Sequence, residues 1–110
     1  MMEWLPAWRI SPRFRCGEKE IMEAFRATSR EIRLRLQALI NADRPAPEAA
    51  LLADRIREQR DIARRMVERK SPLAQRLFRL NRKLRQRFLS IAVNRGLPVD
   101  MLFERCKRRL

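Results

Sequence analysis

Seven cations and no acid fall between Ser71 and Arg95: Arg76, Arg79, Arg82, Lys83, Arg85, Arg87 and Arg95. Arg76, Arg79, Lys83 and Arg87 follow one another by three, four and four residues, so on a helix they form a single stripe with Arg82 and Arg85 beside it. Like charges at that spacing work against the helix that carries them, and the pattern therefore calls for an acidic counterpart. The phosphates of a nucleic acid are the simplest one, because each neutralised phosphate also releases condensed counterions. The competing reading is an ordinary solvated face, but such faces usually carry acids as well. Arg105, Lys107, Arg108 and Arg109 extend the excess to the end of the chain.

The whole chain repeats the argument at lower resolution. Its 110 residues hold 27 Lys and Arg against 13 Asp and Glu, a net charge of +14. Residues 1–44 contribute +3, 45–70 contribute +2 and 71–110 contribute +9. Of the cations 23 are Arg, whose guanidinium forks onto phosphate or carboxylate through two parallel hydrogen bonds. His and Tyr are absent and there are only two Gly, which removes His-based acid–base chemistry, most zinc sites and any Gly-rich phosphate loop. The acids are scattered singly among Arg, so no nucleophile with a base and no carboxylate pair can be assembled. A non-catalytic protein without cofactor or metal is expected. No zinc-finger or RNA-recognition strand signature accompanies the cations, so contact with RNA is expected at the level of backbone and shape rather than base readout. Cys16 and Cys106 have no companions and read as free thiols in a reducing compartment.

Positioning the stripe requires helices, and the apolar spacing supplies them. At 45% apolar residues the chain is too hydrophobic for a disordered polycation. Ile21, Phe25, Thr28, Ile32, Leu36 and Leu39, widened by Met22 and Ile40, predict helix one over 18–41. Pro47 at a first helical position and Leu52, Ile56, Ala63 and Met66 facing inward predict helix two over 47–70. Ser71-Pro72 caps helix three, whose Leu73, Leu77, Leu80, Leu84, Phe88 and Ile91 carry it to Asn94, with Gly96 as its stop. Asp100 caps a short last helix over 101–109. No segment alternates with period two. The expected fold is all-α, an antiparallel three-helix arrangement forming one domain over 18–110, preceded by an arm over 1–17. That arm interleaves Arg9, Arg13 and Arg15 with Trp4, Leu5, Trp8, Ile10 and Phe14, a pattern like an organellar targeting peptide. It is expected to be either an uncleaved import signal or an arm anchored by its two Trp. No stretch is long enough for a membrane span.

Helix one holds a second arrangement. Ile21-Met22 precede Ala24-Phe25-Arg26, and Arg30 follows four residues later. This resembles the LYR-motif family of small mitochondrial helical proteins, with Phe25, Arg26 and Arg30 matching its motif and Ala24 in place of the usual Leu. Arg55-Ile56-Arg57-Glu58 is similar to the family's second-helix basic segment, with Arg60 where a Phe is expected. The resemblance implies a three-helix fold, acylated mitochondrial acyl carrier protein as partner, and accessory or assembly work in a respiratory complex or mitochondrial ribosome. Arg26, Arg30 and Arg33 form a row on helix one suited to an acidic helix, or else are solvated or paired with Glu23 and Glu31 around a core Phe25. Because this row and the Arg76 stripe belong to different helices, two separate surfaces are expected.

Three functions follow from these features. The first is a helical subunit or assembly factor of a ribonucleoprotein, foremost the mitochondrial ribosome in the matrix. The second is a respiratory-complex adaptor that binds acyl carrier protein. The third is a small nucleic-acid-backbone-binding subunit of a bacterial CRISPR effector complex, in the cytoplasm.

Overall fold

The structure, a computed structural model, describes residues 17–98. The short helix expected over 101–109, and the arm expected over 1–17 apart from Gly17, lie outside the described residues. The rest is three helices, α1 (Glu18–Asn41), α2 (Pro45–Glu68) and α3 (Leu73–Asn94). Short connections leave the chain little choice but to turn back on itself, so consecutive helices run antiparallel and α1 and α3 run side by side in the same direction.

Local chemistry sets the ends. Glu18 and Glu20 lie in the first turn of α1, against the positive end of its dipole. α2 starts at Pro45 and not at Pro47, because both prolines fall in the first turn, where backbone amides have no helical acceptor to lose. It also ends two residues before Lys70. There the Lys70 amide donates to the Val67 carbonyl at 2.8 Å and the Ser71 amide to that of Met66 at 3.0 Å, closing a Schellman turn with Lys70 itself at φ 56°. The Ser71 hydroxyl accepts the Leu73 amide at 3.1 Å, the expected cap of α3. Gly96, at φ 73°, forms the second Schellman turn: Gly96 donates to Val93 and Leu97 to Ala92, both at 2.9 Å, and Leu97 packs onto the core.

The interior consists of two apolar clusters. One joins the start of α1, the end of α2 and the start of α3 through Ile21, Phe25, Ala63, Met66, Ala74 and Leu77. The other joins the opposite ends through Ile32, Leu36, Leu39, Leu52, Ile56, Leu84, Phe88 and their smaller neighbours. Between them lies a polar layer with one residue from each helix, Ser29, Gln59 and Asn81, all buried. The Gln59 amide donates to the Ser29 hydroxyl at 2.6 Å and to the Phe25 carbonyl at 3.3 Å, while the Asn81 amide donates to Gln59 Oε1 at 2.8 Å and to the Ile56 carbonyl at 3.1 Å. No buried side-chain nitrogen or oxygen among the described residues is left without a partner.

Three sequence expectations are corrected by this layer and its surroundings. At this level of α1 Ser29, not Thr28, is buried, and Thr28 turns its hydroxyl back to the Ala24 carbonyl at 2.8 Å. Asn81, not Leu80, takes the core position of α3, leaving Leu80 38% exposed. Ile40, expected to widen the stripe of α1, is 39% exposed.

Candidate nucleic-acid interface

The two flanks of α1 meet different neighbours. On one flank Glu31 accepts from Arg35 at 3.0 Å and, across the helix pair, from Arg55 of α2 at 2.8 Å. Arg55 also reaches Glu58 at 2.7 Å, and Arg57 pairs with Asp54. The hydrogen bonds from Arg55 and then Arg35 hold the Glu31 carboxyl below the usual range, and the bonds to Glu31 and then Glu58 push the Arg55 guanidinium up. This α1–α2 face has its charges matched.

The other flank faces α3. Met22, Phe25, Arg26, Ser29, Arg30 and Arg33 of α1 and Arg76, Leu77 and Leu80 of α3 line one groove of about 270 Å³. Its floor is apolar and its rim is cationic. None of the ion pairs found among the described residues involves Arg26, Arg30, Arg33 or Arg76. Phe25, the aromatic of the motif-like triplet, is buried as core beneath the groove, whereas Arg26, Arg30 and Arg33 are exposed. The expectation of two separate surfaces is thereby corrected, since the packing of α1 beside α3 brings the Arg26 row and Arg76 to one cleft.

The remaining cations of α3 spread over its exposed surface, with Arg82 and Arg85 turned about 120° and 180° from Arg76. Arg79, Arg82, Lys83, Arg85 and Arg87 are all exposed, with Arg85 engaged by a partner of its own. At about 100° per residue, Lys83 and Arg87 fall within roughly 20° of Arg76, so they prolong the same flank, and Arg79 borders it on the solvent side. No acid occurs anywhere on α3.

Arg95 departs from the pattern. Its guanidinium donates to the carbonyls of Ile40 at 2.6 Å, Ala42 at 2.5 Å and Leu39 at 3.4 Å, capping the negative end of α1. The charge run alone groups Arg95 with the phosphate-facing residues, whereas the structure commits its donors to the fold. Arg105, Lys107, Arg108 and Arg109 lie outside the described residues.

Among the described residues no group of three or more His, Cys, Asp or Glu converges on a point where a metal ion could sit, and no helix is long and apolar enough to cross a membrane. What the groove and stripe can do chemically is bind anions: several guanidinium forks on one continuous face, without an acid of α3 to compensate them. Comparison with known protein families, curated proteins and solved structures finds no match to this chain.

Proposed function

We propose that this protein is a non-catalytic helical subunit or assembly factor of a large ribonucleoprotein, with the mitochondrial ribosome as the foremost host, and that it holds RNA by the phosphate backbone. The single observation that carries this reading is the exposed, acid-free cationic face of α3, continuous with Arg26, Arg30 and Arg33 across the groove. An isolated helix gains nothing from such a face, while a polyanion gains a contact at each fork.

A second reading rests on the groove itself. Arg26, Arg30 and Arg33 beside an apolar floor also suit an acidic amphipathic helix, as the LYR-like motif implies for acyl carrier protein in a respiratory complex. Isolation of the tagged protein from its native host, with identification of what accompanies it, separates the possibilities. Ribosomal RNA supports the first reading and acyl carrier protein without RNA supports the second. Guide RNA would instead support the CRISPR effector subunit, and an RNA-free, carrier-free protein would overturn the first two.

A further inference from the structure

The groove differs from the stripe that prolongs it. On the exposed face of α3 an acid-free row of cations suits a phosphate backbone. In the groove the four arginines surround Met22, Leu77 and Leu80, with Leu80 38% exposed while the next residue, Asn81, is buried. A site that only neutralised phosphates would have no use for an apolar floor. The space, about 270 Å³, suits one planar ring system with its attached sugar and phosphate. It is short for a docked helix, whose cylinder is ~10–12 Å across. On the α3 side its lining spans only Arg76 to Leu80, a little over one turn. Guanidinium planes can stack on nucleobase faces as well as fork onto phosphate, so the same rim serves both parts of a nucleotide.

We infer that the α1–α3 groove is a single-strand site, which receives one unpaired nucleobase on Met22 and Leu80 while Arg26, Arg30, Arg33 and Arg76 hold its flanking phosphates. This rests on the RNA-backbone reading above and deepens it. The exposed stripe of α3 accepts any RNA, and the groove adds a preference for RNA with a base free to leave the stack. Base identity is not read, because the floor offers no donor or acceptor pattern to distinguish one base from another.

The test uses the full chain and three probes: a short single-stranded oligonucleotide, the same strand annealed to its complement, and inorganic polyphosphate, which carries charge without bases. The single strand is expected to bind more tightly than polyphosphate of equal charge. Leu80→Gln, at an exposed position that keeps the charge, is expected to weaken the single strand about two- to fivefold, at or below the low end for an aromatic platform because this floor is aliphatic. It should leave duplex and polyphosphate unchanged, and Leu80→Met should restore binding. If Leu80→Gln changes nothing, or the duplex binds as tightly as the single strand, the groove site is overturned while the RNA reading stands. If no RNA binds, both fall. If an acidic amphipathic peptide binds in a Leu80-dependent manner and the oligonucleotide does not, the groove belongs to a protein partner and the inference is likewise overturned.

Discussion

Lys70 shows how a single backbone angle becomes a measurable energy. At φ 56° its Cβ crowds the following carbonyl, at a cost of roughly 1–2 kcal/mol that glycine does not incur. Glycine loses more chain entropy on folding, which offsets part of the gain. Lys70→Gly is therefore expected to stabilise the protein by about 0.5–1 kcal/mol, whereas Lys70→Ala, which removes the same charge but keeps Cβ, should not. Thermal melts of the two variants separate conformation from charge. Gln59 is the opposite case, since all of its partners are inside. Gln59→Ala opens a void and leaves the Asn81 amide and Ser29 hydroxyl short of partners, with an expected cost of about 2–4 kcal/mol in urea unfolding. Replacing Ser29, Gln59 and Asn81 together by apolar residues should recover much of that loss, because no buried donor is then stranded. Glu31 supplies the pH dependence. Its carboxyl lies below the ordinary 4.5 in the folded protein, so its contribution is present above that value and fades as pH falls through the lowered one. Glu31→Gln should thus lower stability modestly at neutral pH and flatten the acid limb below about pH 4.5, so that variant and wild type converge in acid, the difference being small because the pair is half-exposed.

At the scale of elements, the charge distribution separates α3 from α2. Changing Arg76, Arg79, Lys83 and Arg87 together to Gln should reduce the slope of log affinity for RNA against log salt by about 3, at ~0.7–0.9 for each phosphate no longer neutralised. Changing Arg60 and Arg65 of α2 should do far less. Arg55, Arg57 and Arg64 are unsuitable as that control, since each is paired with an acid of the bundle. The helices themselves were legible because apolar spacing is a local property, and α1 matches its expected bounds to the residue. The polar layer was not. Ser29 and Asn81 are buried between Phe25 and Ile32 and between Leu77 and Leu84 in the core series of their helices. Apolar spacing alone steps past them to their neighbours Thr28 and Leu80, because it gives no weight to a polar side chain at a core position. One Ser, one Gln and one Asn at core positions of three helices was the signal available. The groove was illegible for a different reason: it exists only once α1 and α3 are side by side, and spacing within one helix says nothing about which flanks will meet. Arg95 likewise looks like its neighbours until the carbonyls of α1 are placed beside it. Arg95→Ala is expected to cost about 1–2 kcal/mol in thermal or urea unfolding, as loss of charge-assisted bonds to a helix end, with little change in the salt slope of RNA binding.

For the molecule as a whole, compaction and charge oppose each other. Two small clusters and a satisfied polar layer hold three helices together, and domains of this size have only ~5–15 kcal/mol of stability to set against a net +14. The repulsion is unevenly placed. α1 and α2 cancel much of theirs through pairs such as Glu31 with Arg55, whereas α3 has no acid with which to do so. The α3 edge of the bundle is therefore where low salt should loosen packing first, and where a bound polyanion should restore it. Since the cationic face is assembled only in the folded state, RNA or polyphosphate binds that state preferentially and raises the apparent melting temperature with its concentration. Circular dichroism melts at low salt, with and without RNA, should show a broad transition becoming steeper and moving upward as RNA is added. The quadruple Gln variant of α3 should melt sharply without RNA, because removing four like charges relieves the strain that the ligand otherwise relieves. A wild-type transition that is already sharp in dilute buffer and does not move with RNA would show that the bundle tolerates its charge unaided, and would remove the physical ground for a polyanionic partner.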